Sequence, residues 1–245
     1  MQKGEEIGPV GDKAENGRRT ADNNRAATVT ESIRTAVLDG RLKPGHRINE
    51  VQLSKSLGVS RTPVRNALQT LVGEGLITYT PNKGYSARAY EISEIIDAFE
   101  MRALAEGLAA RLAAERGLSV EDEIAIEAAL RQGDEALAAA DIETARFGYS
   151  EANTAFHAAI HRAARSGLVK DVINLCQRVP QAYTRNVMAF SLEDVSQRNE
   201  LHHRIYEALL ARKPQEAQDL MVEHVTSVRR AITRELAVGG AREAG

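Results

Sequence analysis

The sequence predicts a mostly α-helical protein, with an N-terminal winged helix-turn-helix followed by an all-helical bundle of about six helices. Three observations predict it. Residues 25–89 set three short helical patterns before two alternating strands joined at Pro81-Asn82-Lys83-Gly84. From 91 to 237, apolar residues recur at the helical period of about 3.6, without a strand pattern. Charge is also divided: residues 1–90 hold 14 Lys and Arg against 9 Asp and Glu, and residues 91–245 hold 18 against 25. A basic front on an acidic back predicts that the front alone meets a polyanion.

The elements follow in order. Residues 1–24 are polar, glycine-containing and aperiodic, and read as a disordered tail. From Ala26 to Leu38, the residues Val29, Ile33, Ala36 and Val37 make one helical face, closed by Asp39-Gly40. Lys43-Pro44-Gly45 is a turn, and Asn49 can cap a short helix carrying Val51, Leu53 and Leu57 up to Gly58. Ser60 opens the next helix: its hydroxyl can cap the first turn, and Pro63 is tolerated there because that turn needs no amide donors. Val64, Ala67, Leu68 and Leu71 face a core, while Arg61 and Arg65 share another face with Thr62, Asn66 and Gln69. Such a face offers cations, amides and hydroxyls outward, as a helix reading the major groove does. An ordinary solvated helix face has the same composition, and the winged pattern around it favours the reading helix. Leu76, Ile77 and Tyr79 alternate as a strand, and Tyr85 to Arg88 returns. Helical segments are expected at about 91–116, 119–139, 141–165, 168–189, 193–212 and 214–237, and residues 238–245 should fray.

Composition excludes some classes. No apolar run approaches the ~20 residues that span a bilayer, and the N-terminus lacks a signal-peptide apolar core. A cytoplasmic protein with no membrane partner is therefore expected. The single cysteine, Cys176, excludes an internal disulfide and a cysteine-rich zinc site. Its apolar neighbours Val172, Ile173 and Leu175 make it a small core residue rather than a reactive thiol.

From Ile33 through Ser86 the ordered pattern GRLKPGHRINE, VQLSKSLGVSRTPVRNALQTLVGEGLI and a wing with Gly84-Tyr85 resembles the GntR family of bacterial transcription regulators. The resemblance implies operator contacts from Ser60, Arg61, Thr62 and Arg65, and a wing tip, Lys83 and Gly84, that reaches the adjacent minor groove. Arg34 and Arg47 are candidate phosphate contacts by charge alone. Family members commonly carry Glu where this chain has Asn66, so Arg65 is expected to lose a partner and be freer for DNA.

Five of the six histidines follow residue 150. Asn153 and His157 lie four apart, His202 shares a face with Ile205 and Leu209, and His224 shares one with Ala217, Leu220, Met221 and Val228. Imidazoles on apolar faces cost desolvation unless something satisfies them. Either each is a hydrogen-bonded core histidine, or the three converge on a transition metal. Here the back half resembles the FCD domain of the FadR-like branch, through EMRALAEGLAARLAA from Glu100, NTAFHAAI from Asn153 and HHRIYEALLARKPQEAQDLMVEHV from His202. That resemblance implies a divalent transition metal (Zn, Ni or similar) on Asn153, His157, His202 and His224, and a small carboxylate effector met by Arg102. His203 is the rival for His202, although helix neighbours point about 100° apart; His161, a turn after His157, is expected to support the ligands or lie at the surface, with substitute ligation as the alternative. A surface Arg102 paired with Glu106 at i,i+4 is the bland alternative. Asn153, where many relatives have Asp, leaves the metal's charge uncompensated, which should loosen the metal or favour an anionic ligand.

The expected function is a metabolite-responsive, sequence-specific transcription regulator: a homodimeric repressor on double-stranded operator DNA, released by a small acidic effector. The chain is not expected to be an enzyme. The alternative is a metal-dependent hydrolytic enzyme using the histidine cluster, but Glu200 and Glu223 point off the ligand face and leave no acid or base beside it.

Overall fold

A computed structural model describes residues 27–139, 141–180 and 191–227. The chain divides into two compact units with the boundary after Arg88, the second also taking in Leu38–Gly40.

The first unit contains α1 (27–38), α2 (Glu50–Leu57), α3 (Arg61–Gly73), β1 (Ile77–Thr80) and β2 (Gly84–Ala87). Val29, Ile33 and Val37 recur on the inner face of α1, and Val64, Ala67, Leu68 and Leu71 on that of α3; all are buried. These two faces close a small core with Leu76 and Ile77. The side chain of Asn49 caps α2 by accepting from the backbone of Val51 and Gln52. Gly58 ends that helix at φ 65°, in the left-handed region that glycine enters without a Cβ penalty. Ser60 holds the N-cap position of α3 with extended backbone, but its hydroxyl makes no capping bond, contrary to the sequence expectation. Strands β1 and β2 pair antiparallel from Ile77↔Ala87 to Thr80↔Gly84. Arg47 adds a bridge to Ser86, supported by Ile48 N–H to Tyr85 O at 2.8 Å. This third edge carries no alternating pattern and was invisible in sequence.

The second unit comprises α4 (Ile92–Arg116), α5 (Val120–Leu137), α6 (Ile142–Ala163), α7 (Gly167–Cys176), α8 (Leu192–Leu210) and α9 (214–227). Starts are set by short polar side chains at the caps: Ser119, Asp141, Ser166 and Ser191 each accept a backbone N–H of the following turn. Ala109, Ala110, Ala113 and Ala114 are fully buried, so α4 runs through the core on small side chains. Two glycines let other helices approach closely. A Cβ at Gly107 would fall 2.7 Å from Val222 Cγ2, and one at Gly133 would fall 2.2 Å from Asn199 Oδ1. They bring α9, which carries His224, against α4, and α8, which carries His202, against α5. Cys176 is buried and free, as a small core residue.

The helix expected over 168–189 ends at Cys176, where turns run to Val179. Residues 181–190, both expected tails and Val228 lie outside the described residues. No described helix is long and apolar enough to cross a membrane.

Candidate functional site

In the first unit, Ser60, Arg61, Thr62 and Arg65 all lie on the exposed side of α3. Glu50, at the start of α2, gathers both arginines. Its Oε2 accepts from Arg65 Nη2 at 2.9 Å and Nε at 3.2 Å, and lies 3.8 Å from Arg61 Nη2. Asn66 therefore does not leave Arg65 without a carboxylate; Glu50 reaches it from fifteen residues earlier. The guanidiniums stay presented all the same, with side chains 60 % and 52 % exposed for Arg61 and Arg65. Arg34 differs. Glu74 accepts from its Nε at 3.0 Å and Nη2 at 2.6 Å, and Glu31 holds its Nη1. At the wing, Asn82 and Gly84 both have positive φ, and Lys83 between them is exposed. Arg47 lies beside this tip: a Cβ added at Gly84 would sit 3.8 Å from its Nη2.

In the second unit, helices α6, α8 and α9 bring His157, His202 and His224 together, each at most 2 % exposed. Nε2 of His224 lies 3.3 Å from Nε2 of His157 and 3.2 Å from Nε2 of His202. The His202 ring stacks on Phe156 at a centroid distance of 4.1 Å, which fixes its plane. Burial pushes the pKa of all three imidazoles below the usual histidine range, most strongly for His202 and His224, and neighbouring histidines push the same way. Near neutral pH the cluster is therefore a set of uncharged nitrogen donors. Asn153 is buried one turn before His157 on α6. His203 turns away to Asp134, 3.0 Å distant, so His202 is the inward member of the pair.

Glu106 on α4 is fully buried beside this cluster. Its Oε2 lies 3.0 Å from Nδ1 of His157 and 2.7 Å from Nε2 of His161. Its Oε1 accepts from Arg102 Nε at 3.3 Å. Burial opposes ionisation of Glu106, yet its contacts with His157 and His161 hold its carboxyl well below the usual range. His161 thus faces Glu106 rather than His202 or His224. Arg102 makes the i,i+4 pair expected of a surface arginine, but it is 3 % exposed and lies in the domain interior.

Sequence reasoning missed three neighbours of this site. Glu106 was read only as a surface partner. Tyr149 lies four residues before Asn153 and eight before His157, a spacing that puts it on the same face. It is 1 % exposed, and its hydroxyl has no hydrogen-bond partner among the described residues. Arg198, one turn before His202, is also buried, and burial pushes its pKa down to about 10.

A basic winged helix with two presented arginines, joined to a helical domain with a buried polar centre, defines the class of ligand-responsive DNA-binding regulators. Residues 25–86 match the bacterial regulatory proteins of the gntR family, and residues 97–227 match the FCD domain. The chain belongs to the GntR family of transcription regulators, with a C-terminal FCD domain. It is 49 % identical over 84 residues to the Nta operon transcriptional regulator of Aminobacter aminovorans, a match spanning 34 % of this chain and 39 % of that protein. It is 28 % identical to the probable D-xylose utilization operon transcriptional repressor of Paenarthrobacter nicotinovorans, over 86 % of this chain and 89 % of that one. Among solved structures, Escherichia coli McbR/YncC shares the fold with a TM-score of 0.73 at 21 % identity, covering 86 % of this chain and 98 % of that one. The family and these relatives are transcription regulators, not enzymes.

Proposed function

We propose that the chain is a homodimeric repressor that reads a palindromic operator on the bacterial nucleoid and is released by a small carboxylate bound at a metal in the FCD domain. Ser60, Arg61, Thr62 and Arg65 read base edges, while Lys83, Gly84 and Arg47 engage the backbone and the adjacent minor groove. Arg34, held by two carboxylates, contributes more to the cohesion of its own unit than to phosphate contact.

The convergence of three neutral imidazoles carries the metal reading. Ligands on a tetrahedral ion with bonds of about 2.0–2.1 Å lie roughly 3.3 Å apart, and the Nε2 atoms of His157 and His202 lie 3.3 and 3.2 Å from that of His224. This donor set fits Zn, Ni or a similar ion. His157, His202 and His224 would hold it, with Asn153 offering an amide oxygen. When bound, the metal supplies an electrophilic anchor for a carboxylate oxygen. Arg198 and Arg102, both buried, favour an anion in the same interior. The effector releases DNA only by binding the DNA-incompetent state more tightly.

The dimer reading rests on exposed apolar side chains of α4 (Met101, Leu104) and α7 (Leu168, Leu175), two helices packed on each other. Leu104→Glu combined with Leu168→Glu is expected to convert a dimer into a monomer in sedimentation velocity, with operator affinity falling alongside. A dimer that survives both changes places the interface elsewhere.

Selection of bound duplexes from a random pool tests the whole reading, with and without Zn²⁺ and a panel of dicarboxylates and sugar acids. The expected product is a palindrome with half-sites about one helical turn, ~34–36 Å, apart. At least one carboxylate should abolish enrichment only when metal is present. Recovery of no enriched sequence would refute the operator assignment.

A further inference from the structure

We propose that Glu106 is the positioning residue of the histidine centre: its carboxylate fixes His157 in the tautomer that aims a lone pair inward, and it supplies the negative charge that Asn153 does not. This rests on the metal reading above and deepens it.

The geometry gives the tautomer. An ionised carboxylate only accepts hydrogen bonds, so the 3.0 Å contact between Glu106 Oε2 and His157 Nδ1 places the proton on Nδ1. In a neutral imidazole that leaves Nε2 unprotonated, and Nε2 is the atom 3.3 Å from His224 Nε2. Glu106 is itself immobilised. His161 donates to the same oxygen at 2.7 Å, and Arg102 donates to the other at 3.3 Å. Donors from α4 and α6 thus pin a carboxylate with no solvent exposure. An imidazole that donates to a carboxylate becomes more basic at its far nitrogen and binds metal more tightly. The effect matters more here than where a ligand is anionic, because three imidazoles and an amide bring no charge to a divalent ion. His161 then has a role other than ligation: it steadies Glu106.

A rival arrangement uses the same atoms. Glu106, His157 Nδ1 and His161 could themselves surround an ion. His157 would then bridge two metals and carry no ring proton.

The test is a Co²⁺ titration of the metal-stripped full chain, followed by visible absorption and calorimetry. Nitrogen-15 NMR of the histidine rings before metal addition accompanies it. The expected wild-type result is one cobalt per chain and a protonated Nδ1 on His157. Glu106→Gln should bind cobalt ~10–100-fold more weakly. Because a glutamine amide can donate as well as accept, His157 in that variant should also populate the Nε2–H tautomer. Asn153→Asp should tighten cobalt binding at least several-fold more in the Glu106→Gln background than in the wild-type chain, a coupling that a merely structural role for Glu106 would not give. Affinity of Glu106→Gln within twofold of wild type would overturn this inference alone. Two cobalts per chain, one of them lost in His161→Ala, would overturn it in favour of the bridged arrangement. Wild-type protein that takes up no cobalt would overturn the metal reading, and this inference with it.

Discussion

Arg61→Ala is expected to erase the preference for operator over unrelated DNA while leaving the fold intact. The side chain is 60 % exposed and 3.8 Å from Glu50, a distance at which the carboxylate orients the guanidinium without enclosing it. A bidentate arginine–guanine contact discriminates by about 1–3 kcal/mol. In the proposed dimer that contact recurs in both half-sites, so the selected operator should lose roughly 30-fold to 2 × 10⁴-fold in affinity. Random duplex should lose far less. Lys83→Ala should behave differently, because a wing-tip cation that meets phosphate positions the protein without reading sequence. It should weaken both duplexes by similar, smaller factors. Fluorescence anisotropy with operator and scrambled duplexes separates the two patterns, and equal losses on both DNAs for both variants would remove the division of labour.

Acid should unfold the metal-free FCD domain steeply. His157, His202 and His224 are held below the usual histidine range in the folded chain, and they recover ordinary values near 6.5 when it unfolds. The unfolded state therefore binds more protons as pH falls past about 6.5, and stability falls with it. Three such groups give a limiting slope of about 4 kcal/mol per pH unit. Glu106 acts in the same direction at lower pH: its folded carboxyl is depressed, so its contribution is present above the unfolded value and lost as pH falls through the folded one. Urea titrations in the presence of a chelator at pH 7.5, 6.5 and 5.5 measure the slope. His202→Phe, which keeps an aromatic ring against Phe156, should reduce it by about one third by removing one of three protons. A slope unchanged by that substitution would mean that His202 charges freely in the folded state.

Much of the architecture was legible because its causes are local. The Val29, Ile33, Val37 repeat makes α1 wherever the chain places it, and Asn49 caps α2 with the two neighbouring amides it can reach. The inward histidines were also legible, since an imidazole among Ile205 and Leu209 or Leu220 and Met221 has an apolar helix face for company. What escaped depends on distance along the chain. Nothing in the local sequence says that Glu50 serves Arg65, or that Arg47 pairs with Ser86. Glu106 escaped for another reason. At four residues from Arg102 it satisfies a surface-pair pattern, and only the alanine-lined path of α4 through the core reveals that both are buried. The hydroxyl of Ser60 shows the reverse error: backbone and position are those of a cap, but the side chain leaves the cap unmade.

The carboxylate of Glu50 has a consequence for how binding responds to ionic strength. DNA association releases about 0.9 condensed counterion for each phosphate that a protein cation neutralises. Arg61 and Arg65 arrive already sharing one internal anion, and Arg34 arrives with two. A guanidinium that trades Glu50 for a nucleotide leaves the glutamate to recruit a cation from solution, which cancels part of the release. The slope of log affinity against log salt should therefore be shallower than a tally of the basic residues on the reading face implies, and Glu50→Gln should steepen it.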